Sequence, residues 1–454
     1  MILDRTKKPI PKDFLDFNPS AIKESILNNG LRIFYVQKEN LPLIRLNLVI
    51  DAGSKFDPKG KNGLAYLTAM TIDEGAGNLN ALELSDEFDL LGSDFNVNAD
   101  NDSIILSLQS LSENFERSFE IFSKVLLSPN FNSGDFEREK KRLITQILQS
   151  KDEPEYLADQ IFNEIVLGEN NNYSYPVLGY EDSLNSIRRD DVLNHYYNNF
   201  TPANSFLVIV GNMIHNELIS IIEKYLEGWN KTLIKSELLF ESLPQKKKIF
   251  AYNKKDSVQT EIRVGHISDK RNHKDYFQKL LLNAILGGQF TSRINLNLRE
   301  RNGYTYGASS RFQYLKEAGL FQAATSVSTE NTGKALKEIL FELDNIKNGI
   351  TDKELEFAKS SITKKFPMNF ETYRQILYNV SAKILFDLPA DYFETYIENI
   401  NMLEKKDIEK AALSSIHNDQ LVIVLVGDLQ LIKEKFDGLD YEISEVDVKG
   451  KIIQ

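Results

Sequence analysis

NGLRIFYVQKENLPLIRLNLVIDAGS, residues 29–54, holds two runs in which apolar and polar residues alternate around a Pro-containing turn. A two-residue period marks half-buried strands, so this stretch predicts a β-hairpin. The pattern returns in KKKIFAYNKKDSVQTEIRVGHIS, residues 246–268, where Ile262-Arg263 aligns with Ile44-Arg45 at an offset of 218 residues. SGDFEREKKRLITQI (133–147) and TDKELEFAKSSITKKF (351–366) match at the same offset of 218. Both read as helix starts N-capped by Ser133 or Thr351 ahead of acidic residues. FLVIVGN closes at Asn212 and LVIVLVGD at Asp428, an offset of 216. Three landmarks at nearly one spacing predict a duplication.

Each half then runs hairpin, helix, strands, long helices and a terminal strand. That order predicts an α+β fold of two duplicated, similar domains, each a mostly antiparallel sheet covered by helices. The domains are expected at 1–232 and 246–454, joined through KTLIKSELLFESLPQKK (231–247), where periodicity is weak. Helical spacing marks LNALELSDEFDLLG (79–92), SENFERSFEIFSKVLLS (112–128) and TGKALKEILFELDNIKNG (332–349), and DSIILSLQSL (102–111) is a strand. NGLAYLTAMTIDEGAG (62–77) opens a buried helix with no histidine and with acids only at its far end, Asp73 and Glu74.

Composition narrows the function. A chain of 454 residues exceeds one hydrophobic core, and 42% hydrophobic with 26% charged residues is ordinary for a globular protein. A net charge of -12 repels a phosphate backbone, so no nucleic-acid partner is expected. No apolar run approaches the ~18 residues needed to span a bilayer. MILDRTKKPIPKDF, residues 1–14, lacks an apolar signal region, so the cytoplasm is expected, or the periplasm if a signal peptide has been removed. The absence of cysteine excludes disulfides, thiolate zinc sites and a cysteine nucleophile.

The order of hairpin, GLAYLTAM helix, SPNFNSGDFEREKKRLITQILQSKDEP, YSYPVLGYEDSL and YYNNFTPANSFLVIVGN resembles the pitrilysin and mitochondrial-processing-peptidase family of zinc metallopeptidases, the inverzincins. In the second half, LGGQFTSRINLNLRERNGYTYGASSRF (286–312) is similar to that family's arginine–tyrosine segment. The resemblance spans about Asn29 to Asp428 and implies an architecture forming one half of a clam shell.

Catalytic members of that family carry H-x-x-E-H on the first long helix: two histidines one turn apart bind zinc and the glutamate acts as general base. A glutamate on a later helix completes the ligands. Carried over through the shared G-L-A, these positions fall on Tyr66, Ala69 and Met70, with the third ligand at Gln146. A phenol with a free pKa near ~10, a methyl group, a soft thioether and a neutral amide replace them. The resemblance therefore implies that this chain holds no metal, that zinc belongs to a partner subunit, and that Tyr66 and Met70 are packing residues. Of the five histidines, His195 lies beside Tyr196 on a helix and reads as packing. His215, His273 and His417 stand in polar contexts that predict exposure, and His266 is strand-like. No pair stands four residues apart.

The Arg/Tyr pair survives as Arg299 and Tyr306, seven residues apart. In the family this pair reaches a peptide at the zinc site of the opposite domain or subunit. There the tyrosine hydroxyl donates to the scissile carbonyl and the arginine fork binds backbone carbonyls or a carboxylate. A blander reading makes Arg299 a surface ion-pair member and Tyr306 strand core, with Arg293, Arg301 and Arg311 as rival arginines. Gly287-Gly288 lacks the lysine and spacing of a phosphate loop and reads as a helix end.

The expected function is a non-catalytic subunit of a heterodimeric zinc peptidase, with Arg299 and Tyr306 acting in trans on peptides or unfolded segments. The expected partner is a catalytic subunit carrying H-x-x-E-H, and the isolated chain is open to either a monomer or a homodimer. The alternative is a structural core subunit with no part in proteolysis. An autonomous peptidase would need a displaced metal site, which no histidine pair offers.

Overall fold

The structure is a computed structural model that describes residues 17–230, 238, 240, 246–434, 436 and 442–453. The segment 1–14 lies outside the described residues, as does most of the expected linker 231–247.

The strands of the first half are β1 (Lys23–Ile26), β2 (Arg32–Gln37), β3 (Leu43–Ile50), the small pair β4 (Gly75–Ala76) and β5 (Leu79–Asn80), β6 (Asp94–Ala99), β7 (Ile104–Leu111) and β8 (Ser205–Gly211). Those of the second are β9 (Lys248–Asn253), β10 (Gln259–Ser268), β11 (Ala308–Tyr314), β12 (Gly319–Ser328), β13 (Val422–Gly427) and β14 (Ile443–Glu445). The helices are α1 (Leu64–Thr71), α2 (Ala81–Leu90), α3 (Phe115–Leu127), α4 (Ser133–Ser150), α5 (Pro154–Leu167), α6 (Glu181–Ser186), α7 (Arg189–Asn199) and α8 (His215–Leu226). They continue with α9 (Tyr276–Leu286), α10 (Arg293–Asn295), α11 (Thr332–Asn345), α12 (Asp352–Lys365), α13 (Tyr373–Leu385), α14 (Tyr392–Met402), α15 (Lys405–Ser415) and α16 (Leu429–Glu434).

Two six-stranded sheets result, ordered β1-β2-β8-β3-β7-β6 and β11-β12-β10-β13-β9-β14. The fold is the expected α+β duplication, with mostly antiparallel pairing. Neither predicted hairpin forms, however. β8 inserts between β2 and β3, parallel to the first and antiparallel to the second, and β13 separates β9 from β10 in the same way. Alternation reports which face of a strand is buried, not which strand lies beside it, so a short loop between two strands mimicked a hairpin. The register also moves one landmark. Ile44 pairs with Gly211, whereas Glu261 pairs with Val426. With β8 and β13 offset by 216, β3 and β10 are offset by 216 too, not 218. A slip of two residues leaves every side chain on its original face, so the pattern could not exclude it.

Each terminal strand is apolar on both faces. In β13, Ile423 and Leu425 face the helices of the second half, while Val422, Val424 and Val426 face α5 of the first. In β8, Leu207 and Ile209 face the first half's helices, whereas Val208 and Val210 share a cluster with Ile376, Leu377 and Val380 of α13. The halves thus exchange helices. α5 covers the outer face of the second sheet and α13 that of the first, so neither sheet is closed without the other half.

A buried ionic knot adds to the seam. Lys55 Nζ stands 2.6 Å from Asp51 and 2.9 Å from Asp102, Tyr173 Oη donates to Asp102, and Lys316 from the β11–β12 turn reaches Asp51 at 2.7 Å.

Helix starts differ in detail. Thr351 caps α12 in a reciprocal box with Glu354, as expected. Ser133 does not cap: it is the first helical residue of α4, behind Asn132, whose side chain makes no cap bond.

Candidate functional site

The α1 helix is fixed at its start by a close fit between distant motifs. Gly63 takes φ 94°, and a Cβ there would meet Leu178 O at 2.6 Å. Ser183 Oγ donates to Asn62 O at 2.7 Å. The buried Asp57 carboxylate accepts the Gly63 and Ala65 amides at 2.7 and 2.8 Å, satisfying two of the donors that a helix start leaves open. The segments NGLA and YPVLGYEDS are therefore one interlocked unit.

Along α1, Ala69 is only 3% exposed, while Tyr66 and Met70 are half-buried and pack against the first core cluster. Gln146, on the neighbouring α4, is exposed. Tyr66 and Met70 pack against the core, and Ala69 is buried within it. A phenol, a methyl group, a thioether and a solvent-facing amide do not fit zinc. Among the described residues no group of three or more His, Cys, Asp or Glu side chains is arranged to hold a metal ion.

What stands past the end of α1 instead is an acid–arginine knot that the sequence showed only as the Asp73-Glu74 pair. Arg138 bridges Glu74, Asp135 and Glu139, the last at 3.3 Å, and Arg142 Nε lies 2.9 Å from Glu139. Burial pushes the Asp73 carboxyl up to about 6, helped by Glu74 and Glu139.

Three of the histidines are more buried than expected, while His195 packs as expected. His195 sits in the core and contacts Ala52 O at 3.0 Å, and burial pushes its pKa down to about 4. His215 stacks on Tyr35 with centroids 5.8 Å apart, and His417 packs edge-on to buried His266 at 4.9 Å. His273 is half-buried near Asp269 and Asp275, at 3.8 Å from each. All three are half-buried rather than exposed: Tyr35 and His266, from distant segments, lie against His215 and His417, whereas His273 sits beside carboxylates from its own stretch of chain.

The second half presents a different surface. α9 ends at Gly287, where a Cβ would collide with Ser310 of β11; close backbone approach, not phosphate binding, requires the glycine. After α10 the chain makes a six-residue π-helical turn, Leu296–Arg301, a form often found at functional sites. Buried Asn297 anchors this turn, donating to Glu338 and Glu342 at 2.8 and 2.7 Å, and Asn302 donates back to Asn297 O at 3.0 Å.

Arg299 projects from the turn, its guanidinium carbon 4.5 Å from the Phe290 ring centroid, with Glu300 3.4 Å from its Nε. Tyr306 is 95% exposed, so strand core is excluded for it. Its neighbours are pinned: Thr305 Oγ1 donates to Ser326 O at 2.7 Å, and Gly307 O accepts from Thr325 Oγ1 at 3.0 Å. The backbone is held while the phenol stands in water. Phe290, Asn297 and Asn302 escaped the sequence reading; the run of asparagines in RINLNLRERN was the available signal.

Of the rival arginines, Arg293 is committed to Glu354 through contacts of 2.6 and 2.9 Å, and Arg293 and Thr351 outweigh burial to hold that carboxyl at about 2. Arg311 lies 3.7 Å from Asp159. Among the described residues no hydrogen bond, ion pair or ring contact joins Tyr66, Met70 or Gln146 to Arg299 or Tyr306. Tyr306 leads directly into β11, an edge strand of the second sheet, and β6 is the matching edge of the first.

No described helix is long and apolar enough to cross a membrane. Residues 32–177 match the family described as "Insulinase (Peptidase family M16)", and residues 186–362 match "Peptidase M16 inactive domain". The "Uncharacterized zinc protease YmxG" of Bacillus subtilis is 22% identical over 86% of this chain and 93% of its own length. The "Non-peptidase homolog YmxG" of Helicobacter pylori is 24% identical over 91% of this chain and 96% of its own. A crystal structure of a peptidase M16 inactive domain from Pseudomonas fluorescens superposes with a TM-score of 0.83 at 24% identity, covering 90% of this chain and 98% of that one. By the order of its motifs, its duplicated sheets and these matches, the chain belongs to the M16 peptidase family, as a pitrilysin-like member without the zinc-binding motif.

Proposed function

We propose that the chain is the non-catalytic subunit of a two-subunit zinc peptidase. Its first domain (1–232) serves as scaffold, and its second (246–454) offers Arg299 and Tyr306 to a peptide held at the partner's zinc. The observation that carries this reading is the fully exposed phenol of Tyr306 between two backbone-pinned neighbours. An aromatic ring left in water on a fixed backbone has no stabilising role within this chain, which suits a group awaiting a ligand. The non-ligating residues at Tyr66, Ala69, Met70 and Gln146 support placing hydrolysis elsewhere.

In this arrangement the substrate lies as an added strand along a sheet edge, so backbone hydrogen bonds supply affinity with loose sequence preference. Tyr306 Oη donates to the scissile carbonyl oxygen as charge develops there, and the Arg299 fork binds a neighbouring carbonyl or carboxylate. The partner's zinc supplies the activated water.

The test has two stages. The tagged chain is first recovered from its native cells, and a co-eluting protein with H-x-x-E-H is expected; a membrane assembly without one would favour the structural-subunit reading. The reconstituted complex is then assayed on peptides. Tyr306→Phe should lower kcat by about 10²–10³ with assembly unchanged. Full activity of that variant would sink the role in trans.

A further inference from the structure

A cavity of about 370 Å³, with no lining residue from the Arg299–Tyr306 segment, lies between the start of α9, the end of β11, α13 and α14. Its volume falls within the range of small-molecule sites. The walls are aromatic, chiefly Tyr276, Tyr314, Phe366, Tyr392 and Tyr396. Arg271 also lines it, with its guanidinium carbon 3.3 Å from the Tyr276 ring centroid, 5.3 Å from that of Tyr392 and 5.8 Å from that of Tyr314. One Nη donates to Tyr392 Oη at 2.6 Å.

The lining contains two cations, Arg271 and Lys383, and no carboxylate. Lys383 donates to Ala390 O and lies 5.3 Å from the Phe393 centroid. Two other cations drawn into the fold have acidic partners: buried Lys55 has Asp51 and Asp102, and half-buried Arg293 has Glu354, whereas Arg271 is half-buried. Among the described residues, no ion pair of that kind involves Arg271. Cation–π contacts and one phenolic oxygen stabilise its charge in part, yet the fork keeps N–H groups whose natural complement is a planar anion.

We infer that this cavity binds a small aromatic carboxylate, its ring against the tyrosine walls and its carboxylate on the Arg271 fork with Lys383 at the rim. The ligand chemistry has two sources, a free aryl acid or the C-terminal aromatic residue of a peptide. Nothing in this inference depends on Tyr306 or on a partner subunit.

Isothermal titration of the full chain with N-acetyl-L-phenylalanine tests it. Two controls divide the ligand: N-acetyl-L-phenylalaninamide keeps the ring without the charge, and N-acetyl-L-alanine keeps the charge without the ring. Saturable one-to-one binding of the acid is expected, with each control weaker by about 10-fold or more. Arg271→Gln should weaken the acid by about 10–100-fold, and Lys383→Gln by a smaller factor. If Arg271→Gln does not fold, the acid–amide comparison on the native chain and the Lys383→Gln titration decide. Ala-Ala-Phe binding at least as tightly as the single residue assigns the site to peptide C termini, and weaker binding assigns it to free aryl acids. The inference is overturned if the acid shows no saturable binding at millimolar concentration. Equal affinity for acid and amide, binding unchanged in both variants, or adenosine monophosphate binding where the acid does not would also overturn it.

Discussion

Phe162→Ala tests the exchange of helices between the halves. Phe162 belongs to α5 in the first half, is fully buried, and packs among Leu320, Val422, Val424 and Val426 of the second sheet. Its Cζ lies 2.8 Å from the position a Cβ would take on Gly265 of β10, so the ring fills the notch that this glycine leaves. Buried Phe-to-Ala changes cost about 3–5 kcal/mol, more where the walls cannot collapse. Here they are rigid. β10 is paired on both sides, and α5 is tied to it by Arg263–Asp159 at 2.6 Å, with Gln322 donating to Asp159 at 3.1 Å. A cost of about 4 kcal/mol follows, equivalent to about 10³-fold in the opening equilibrium of the second sheet. Hydrogen exchange read by mass spectrometry should show that loss over 259–268 and 422–427, with much smaller changes over 43–50 and 205–211. A first-half substitution thus loosens the second half. Protection lost mainly within the first sheet, or by less than about 10-fold in the second, would refute the exchange as an energetic fact.

Other outcomes follow from the same geometry. Gly265→Ala should prevent folding of the second half, since its Cβ would meet both Phe162 and the backbone of Phe321; soluble yield and circular dichroism report it. Burial by itself raises the Asp51 pKa, but Lys55 and Lys316 outweigh it and hold it below the ordinary value. A carboxylate with a lowered folded pKa stabilises above its unfolded value near ~4, and the contribution is lost as pH falls through the folded pKa. Wild type should therefore lose Tm more steeply than Asp51→Asn below about pH 4, and parallel curves would rule out this source of acid sensitivity. Tyr306→Phe should leave the Tm of the isolated chain unchanged to within about 0.5 kcal/mol equivalent, because the side chain is 95% exposed. Ala69→Glu should destabilise by about 2–4 kcal/mol, because it buries an unpaired carboxyl; a thermal melt showing no loss would mean that the α1 site is roomier than its burial implies.

Much was legible in the residues themselves. Alternation over 29–54 and 246–268 located the strands, helical spacing located the long helices, and the repeated landmarks revealed the duplication. Donor chemistry was equally plain, because it is a property of side-chain identity: none of Tyr66, Ala69, Met70 and Gln146 is an imidazole, a thiolate or a carboxylate. Pairing was not legible. β8 and β13 enter the sheets from far along the chain, and periodicity carries no information about a strand's neighbour.

Tertiary structure alone decided which residues left the surface and which stayed on it. His215 and His417 read as polar-loop residues until Tyr35 and His266 were brought against them, and Arg271 gave no sign of its aromatic surroundings. For Tyr306 the residues left two readings open, a substrate-facing phenol or strand core, and the structure excludes the second by leaving it in solvent between the anchored Thr305 and Gly307. Sequence fixes what each side chain can do chemically. Burial and partnership depend on segments hundreds of residues apart, so they appear only once the two halves have closed each other's sheets.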